Sequence, residues 1–83
     1  MNDDSVAGKV NAVIASVLGV EENKVLPHAR LREELGASDL DVRTLMLTLE
    51  DELDMEFDVA GVRLVTVGDV IDYCEAAWRA RRA

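Results

Sequence analysis

The sequence contains only one cysteine, one histidine and one proline, and the scarcity of cysteine and histidine excludes two kinds of site. A lone cysteine cannot form a disulfide within the chain, and it fits a reducing compartment. His28 and Cys74 cannot supply a metal-ligand cluster, so we expect a loop histidine and a core thiol. The acidic run at positions 50–56 lacks the glycine and the alternation of a calcium-binding loop. We therefore expect no metal site and no enzyme.

Aromatic residues and long apolar runs are also scarce. Hydrophobic residues make up 49% of the 83 residues, but only one each is Trp, Tyr and Phe. This composition predicts one small domain, residues 1–83, with an aliphatic core. No apolar run approaches the roughly 18–20 residues of a membrane span. The acidic start, Asp3-Asp4, is unlike a secretory signal or a transit peptide, so we expect a cytoplasmic monomer.

Basic residues are outnumbered, with 9 Lys and Arg against 17 Asp and Glu and a net charge of −8. Arg43 is the only basic residue between Glu33 and Asp58. Such a surface repels a phosphate backbone, so no nucleic-acid partner is expected. It attracts basic protein surfaces over long range. The alternative is an acidic face that serves only solubility.

Apolar residues recur at helical spacing in three segments. The first helix is predicted to start after Ser5 and to end at Gly19. The second is predicted from about Leu40 to Leu53, and the last starts near Val67. The core-facing side chains are Val6, Val10, Val13, Ile14, Val17 and Leu18, then Val42, Leu45, Met46, Leu49 and Leu53, then Val67, Val70, Ile71, Cys74 and Trp78.

Two capping boxes, Ser38 with Asp41 and Thr66 with Asp69, support the second and last helix starts. Positions 20–37 lack sustained periodicity and predict a long first loop with one helical turn at positions 30–35. Asp58 can cap a short third helix over positions 59–61. Positions 62–67 are rich in β-branched residues but have no evident strand partner, so they predict an extended connector.

The order of these elements, and above all the run at positions 33–41, resembles the acyl carrier proteins. In that family Leu-Gly-Ala is followed by Asp-Ser-Leu-Asp, whereas here Leu35-Gly36-Ala37 is followed by Ser38-Asp39-Leu40-Asp41. The resemblance covers most of the chain. It implies an all-α, four-helix bundle of acyl-carrier-protein type, with a short third helix and a long first loop.

The same resemblance implies a cofactor, 4'-phosphopantetheine, bound through a serine at the start of the second helix. A separate phosphopantetheinyl transferase attaches it, and the arm carries acyl groups as thioesters for fatty-acid or polyketide biosynthesis. In this chain Asp39 stands at the attachment position, and a carboxylate cannot form a lasting phosphodiester. Ser38 has the required hydroxyl, displaced by roughly 100° around the helix axis. Ser38 is therefore either a displaced attachment site or only a helix cap.

Partner docking is implied for the second helix, where carriers present acidic and apolar residues to basic patches of acyl-transferring and synthase enzymes. Leu40 and Leu47 lie off the predicted core stripe with Arg43 between them. The residues expected to dock are Leu40, Asp41, Arg43, Leu47, Glu50 and Asp51. Arg43 replaces a residue that is usually apolar in the family, which changes the expected recognition. Two alternatives stay open: a carrier homologue without an arm that acts as an adaptor or regulator, and an unrelated acidic helical interaction module.

Overall fold

The helices form where apolar periodicity and capping residues coincide. A computed structural model describes residues 5–58 and 61–82, and in that part it contains three α-helices and one 3₁₀ turn. Helix α1 spans Val6–Leu18, the 3₁₀ turn spans Glu22–Lys24, α2 spans Asp39–Leu53 and α3 spans Val67–Arg82. The all-α prediction is confirmed for the described residues. The predicted short third helix covers positions 59–61. Positions 59–60 lie outside the described residues and Gly61 is a turn residue with φ 78°, so a fourth helix stays a prediction.

Helix α1 begins and ends at the predicted signals. The Ser5 hydroxyl accepts a hydrogen bond from the Gly8 amide at 3.0 Å and caps the first turn. Gly19 ends the helix in the left-handed conformation, with φ 67°, and its amide bonds the carbonyl of Ala15. Helix α1 packs against both α2 and α3, so both of these helices share α1 as their packing partner in the core.

The core is aliphatic, as the sparse aromatic composition predicts. Ile14 of α1, Leu45 and Leu49 of α2 and Val70 of α3 are all fully buried in one hydrophobic cluster. Full burial of a side chain of this size contributes roughly 1.5–3 kcal/mol to folding. The buried residues of the long loop, which fasten it to this core, are Val25, Ala29, Leu31 and Ala37.

The long loop and the connector before α3 hold each other in place. The amide of Leu31 donates to the carbonyl of Val65 at 2.9 Å, and the amide of Val67 donates to Ala29 at 3.0 Å. These bonds form an isolated antiparallel bridge between Arg30 and Thr66. The extended connector is therefore confirmed, but the expectation that it has no strand partner is wrong. The loop itself supplies the partner, through residues without a strand pattern.

Candidate functional site at the start of helix α2

Ser38 is the N-cap of α2. Its backbone is extended, with φ −84° and ψ 172°, and its hydroxyl accepts a hydrogen bond from the Asp41 amide at 3.0 Å. The Asp41 carboxylate accepts the Ser38 amide at 3.0 Å, which completes the predicted capping box. Ser38 is exposed, and a hydroxyl that accepts one bond keeps its own proton to donate. The cap role is therefore confirmed, and the hydroxyl stays accessible.

Asp39 is the first residue of α2 and points into solvent, with 93% of its side chain exposed. One carboxylate oxygen accepts a hydrogen bond from Arg32 Nε at 3.0 Å and lies 2.8 Å from Nη2 of the same guanidinium, so the two residues form an ion pair. The positive end of the helix dipole also favours an anion here. Sequence reasoning missed Arg32, because the two residues are seven positions apart and the intervening turn has no periodicity.

The outer surface of α2 carries the residues that the sequence predicts for docking. Leu40 is 71% exposed and Leu47 is 56% exposed, and Arg43 lies exposed on the same helix between them. Asp51 is also exposed, one turn beyond Leu47. We call the set Leu40, Asp41, Arg43, Leu47, Glu50 and Asp51 the docking surface.

Two carboxylates of the docking surface also hold the fold. Asp41 completes the capping box of α2, as described above. Glu50 is half-buried, and its Oε2 accepts the backbone amide of Phe57 at 2.6 Å. The Phe57 ring meets the Tyr73 ring edge-on with centroids 5.3 Å apart. Glu50 therefore fastens the chain after α2, so this structural role falls on a carboxylate that the sequence predicts for docking.

A groove beside α2 brings together arginines that are scattered in the sequence. It has a volume of about 780 Å³ and lies between α2, the turn at positions 30–33 and the connector at positions 62–65. Arg30, Arg32, Arg43 and Arg63 all line it, and we call it the arginine groove. The sequence indicates a basic concentration only at Arg79, Arg81 and Arg82. The sequence does not indicate this groove, because its four arginines come from three separate segments of the chain.

Arg81, near the end of α3, contacts the end of α2. The Arg81 guanidinium donates to the carbonyls of Asp54 at 2.7 Å and Leu53 at 3.1 Å, and it lies over the Trp78 ring. Cations at this position complement the negative end of a helix. Arg81 thus links the ends of α2 and α3.

The remaining chemistry-bearing residues lie away from the start of α2. His28 is exposed in the long loop. Cys74 is fully buried, and burial raises the pKa of its thiol to about 12, so it is not a nucleophile near neutral pH. Within residues 5–58 and 61–82 there is no cluster of three or more His, Cys, Asp or Glu side chains arranged to hold a metal ion. Over those residues, no helix has the length and apolar character needed to cross a bilayer.

Taken together, the described residues form a helical domain with a capped, exposed helix start and exposed leucines along the helix that follows. A family model described as the phosphopantetheine attachment site matches residues 8–74. The chain therefore belongs to the phosphopantetheine attachment (PP-binding) family. Domains of this family are sites of 4'-phosphopantetheine attachment, they carry acyl or peptidyl intermediates, and they interact with partner enzymes. They are generally carriers without catalytic activity.

The residues at the start of α2 fit this cofactor at one position only. A phosphodiester link requires an alcohol, and the Asp39 side chain is a carboxylate held by Arg32. The exposed hydroxyl in this segment is that of Ser38, one residue before the helix. Attachment there would turn the oxygen that caps Asp41 into an ester oxygen, which is a poorer acceptor. Ser38 therefore has the required chemistry, but loading it would weaken the α2 cap.

Proposed function

We propose that the protein is an acyl-carrier-type protein that presents its docking surface to partner enzymes of fatty-acid or polyketide-type biosynthesis. When Ser38 bears the arm, the cargo is an acyl thioester. The observation that carries this proposal is the pair of exposed leucines, Leu40 and Leu47, directly following the helix start in a chain of the phosphopantetheine attachment family. We further propose that it acts as a cytoplasmic monomer and catalyses no reaction itself.

The charges of α2 support docking onto basic surfaces. Asp39 is exposed just before the docking surface and Asp51 is exposed at its far end, and Leu40 and Leu47 lie between them. Exposed apolar side chains framed by charge are a common arrangement in protein interfaces. Long-range attraction to a cationic patch would speed association and weaken with salt. Arg43 requires an acceptor in the partner at the centre of this surface.

A second version of the function is an adaptor or regulator without an arm. Two observations favour it: the Ser38 hydroxyl is engaged as the cap, and Asp39 occupies the first helical position with its carboxylate on Arg32. Such a protein would occupy the carrier-binding surfaces of partner enzymes without delivering cargo.

Loading separates the two versions. The protein is incubated with coenzyme A and a broad-specificity phosphopantetheinyl transferase, and the intact mass is measured. A gain of one phosphopantetheine group that is lost in Ser38→Ala establishes the carrier. The matched control is the double variant Ser38→Asp with Asp39→Ser, which restores the family order. A loaded control beside an unloaded native chain establishes the arm-less version.

Docking is tested by affinity for the same transferase and for a carrier-dependent acyltransferase. Leu47→Asp is expected to weaken binding at least tenfold if Leu47 is an anchor, which is about 1.4 kcal/mol. Leu26→Asp is the matched control, since Leu26 is also exposed but lies in the long loop. Asp51→Lys is compared with Glu21→Lys, because both carboxylates are exposed and only Asp51 belongs to the docking surface.

The outcomes of the docking test are distinct. Equal loss in Leu47→Asp and Leu26→Asp, or no loss in either, would refute docking through α2. Self-association of the native chain in sedimentation, abolished by Leu47→Asp, would instead support the acidic interaction module. Glu50 is left unchanged in these variants because its carboxylate also holds the Phe57 amide.

A further inference from the structure

Arg43 brings a positive charge into a docking surface whose other charged members are acidic. Its side chain is exposed, and it follows Leu40 by three residues and precedes Leu47 by four. Residues at these spacings lie on one face of a helix. Arg43 therefore shares its face of α2 with the two leucines that the docking function places against a partner.

The carboxylate best placed on α2 to pair with Arg43 is bound elsewhere. Asp39 lies four residues before Arg43, and an acidic residue at this spacing ahead of a basic one favours an ion pair on a helix. In the structure Asp39 pairs with Arg32 instead, with 2.8 Å between Oδ1 and Nη2. Within residues 5–58 and 61–82, no carboxylate forms an ion pair with Arg43. Its charge is therefore available to another molecule.

Two further charged residues near Arg43 do not neutralise it either. Glu50 lines the arginine groove together with Arg43, but its Oε2 accepts the Phe57 amide at 2.6 Å. Arg63 lines the same groove, is exposed and adds a second positive charge. The docking surface therefore has a positive centre, and the acidic residues Asp41 and Asp51 lie towards its two ends.

We propose that Arg43 determines which enzymes the docking surface accepts, because it selects a partner with a carboxylate opposite Arg43 inside a basic patch. A guanidinium forms strong, charge-assisted hydrogen bonds with a carboxylate. Like charges brought together in an interface are unfavourable and suppress wrong partners. An enzyme with only basic residues opposite α2 is attracted by the acidic residues but repelled at Arg43. This inference rests on the proposed docking function and specifies the chemistry of its partner.

The probe is a carrier-dependent acyltransferase whose carrier-binding patch has only basic residues among its charged ones, and biolayer interferometry gives the affinities. Arg43→Gln keeps a long polar side chain but removes the charge, so its affinity for this enzyme is expected to be at least tenfold higher than that of the native chain. Arg79→Gln is the matched control, because Arg79 is exposed on α3 outside the docking surface. It changes the net charge equally and is expected to change the affinity less than twofold.

Charge reversal on the enzyme tests direct pairing. Each basic residue of the enzyme's patch is changed to Glu in turn, and one of these enzyme variants is expected to bind the native chain at least tenfold more tightly than it binds Arg43→Glu. The unaltered enzyme is expected to prefer Arg43→Glu. Such a reversal requires that the two side chains interact across the interface. Arg79→Glu should show no reversal. Arg43 is exposed, so circular dichroism should show native helix content in its variants.

Three results would overturn this proposal: no gain in Arg43→Gln, an equal gain in Arg79→Gln, or no enzyme variant that prefers the native chain to Arg43→Glu. Leu47→Asp distinguishes such a failure from failure of the docking function. It is introduced into the Arg43→Gln chain, where binding is expected to be tightest. If Leu47→Asp weakens binding but the charge variants have no effect, only the role of Arg43 is refuted. If Leu47→Asp has no effect there, the docking function itself is refuted.

Discussion

Helices α2 and α3 start with the same motif but use it differently. Equivalent capping boxes are formed by Ser38 with Asp41 and by Thr66 with Asp69. In each box the hydroxyl accepts the backbone amide of the acidic residue, and the carboxylate accepts the backbone amide of the hydroxyl residue. At α2 the cap lies at the surface beside the exposed Asp39. At α3 both cap residues are half-buried, and Thr66 pairs with Arg30 of the long loop.

The two capping boxes differ in the additional hydrogen bonds that neighbouring residues make at each helix start. At α3 the Asp69 carboxylate accepts a second amide, from Val65 at 2.9 Å, beside the bridge between Arg30 and Thr66. The Gly68 amide also bonds the Pro27 carbonyl at 2.8 Å. At α2 the residue after the cap, Asp39, instead binds Arg32 at the surface through its carboxylate. The α3 box therefore connects its helix to the rest of the fold. The α2 start leaves the Ser38 hydroxyl and the Asp39 carboxylate exposed at the surface.

The largest predicted effect is at Gly68, the second residue of α3. An added Cβ would lie 3.0 Å from the Pro27 carbonyl oxygen, a backbone atom that cannot rotate away. Gly68→Ala is expected to lower the free energy of unfolding by about 1–3 kcal/mol, since the loop must shift. Chemical denaturation measures this change.

The equivalent position of α2 provides the control. Leu40 is also a second helical residue but is exposed, so Leu40→Ala is expected to change the free energy of unfolding by less than about 0.5 kcal/mol. If Gly68→Ala and Leu40→Ala lowered the free energy of unfolding equally, the start of α3 would contribute no more to stability than the start of α2.

The next largest effect is at Asp69. Hydrogen bonds from the backbone amides of Thr66 and then Val65 lower the pKa of its carboxyl below the ordinary value of 3.8. Asp69→Ala is expected to lower the free energy of unfolding at pH 7 by about 2 kcal/mol, the upper end for a lost cap. Asp41→Ala at the exposed box is expected to cost about 0.5 kcal/mol, the lower end.

The pH dependence of the Asp69 contribution has a defined sign. Because the folded-state pKa is lowered, the contribution is fully present above pH 3.8 and is lost as the pH falls through the folded-state pKa. The difference between the native chain and Asp69→Ala should therefore shrink in denaturation experiments performed at increasingly acid pH. A difference that is constant down to the acid limit would show that the carboxylate bonds are not its source.

Most of the fold could be predicted from local signals. Apolar spacing with Gly19 gives the bounds of α1, and the hydroxyl-to-carboxylate spacing gives the starts of α2 and α3. The exposure of Leu40 and Leu47 follows from their place off the apolar stripe of α2. Each of these signals acts within one or two helical turns, where sequence spacing and spatial spacing coincide.

The features that were missed depend on the path of the long loop. The bond from Arg32 to Asp39, the bridge from Arg30 to Thr66 and the arginine groove all join segments without periodicity. The structural role of Glu50 was missed for the same reason, since the amide it accepts lies beyond the end of α2. No pattern in the sequence marks these pairs, because their proximity follows from packing onto a completed core.

A smaller effect on stability than that of Asp69→Ala is predicted at Asp39, and it tests the surface role of the α2 start. Asp39→Asn keeps the shape but removes the charge that Arg32 binds and the helix dipole favours. Both side chains of the pair are substantially exposed. Such a pair contributes little, so the free energy of unfolding should fall by less than about 1 kcal/mol. If affinity for a carrier-dependent enzyme falls while stability is kept, the Asp39 carboxylate serves recognition. The start of α2 would then serve partner binding, and the start of α3 would serve stability. A loss of stability as large as that of Asp69→Ala would remove the distinction, because the exposed start of α2 would then also stabilise the fold.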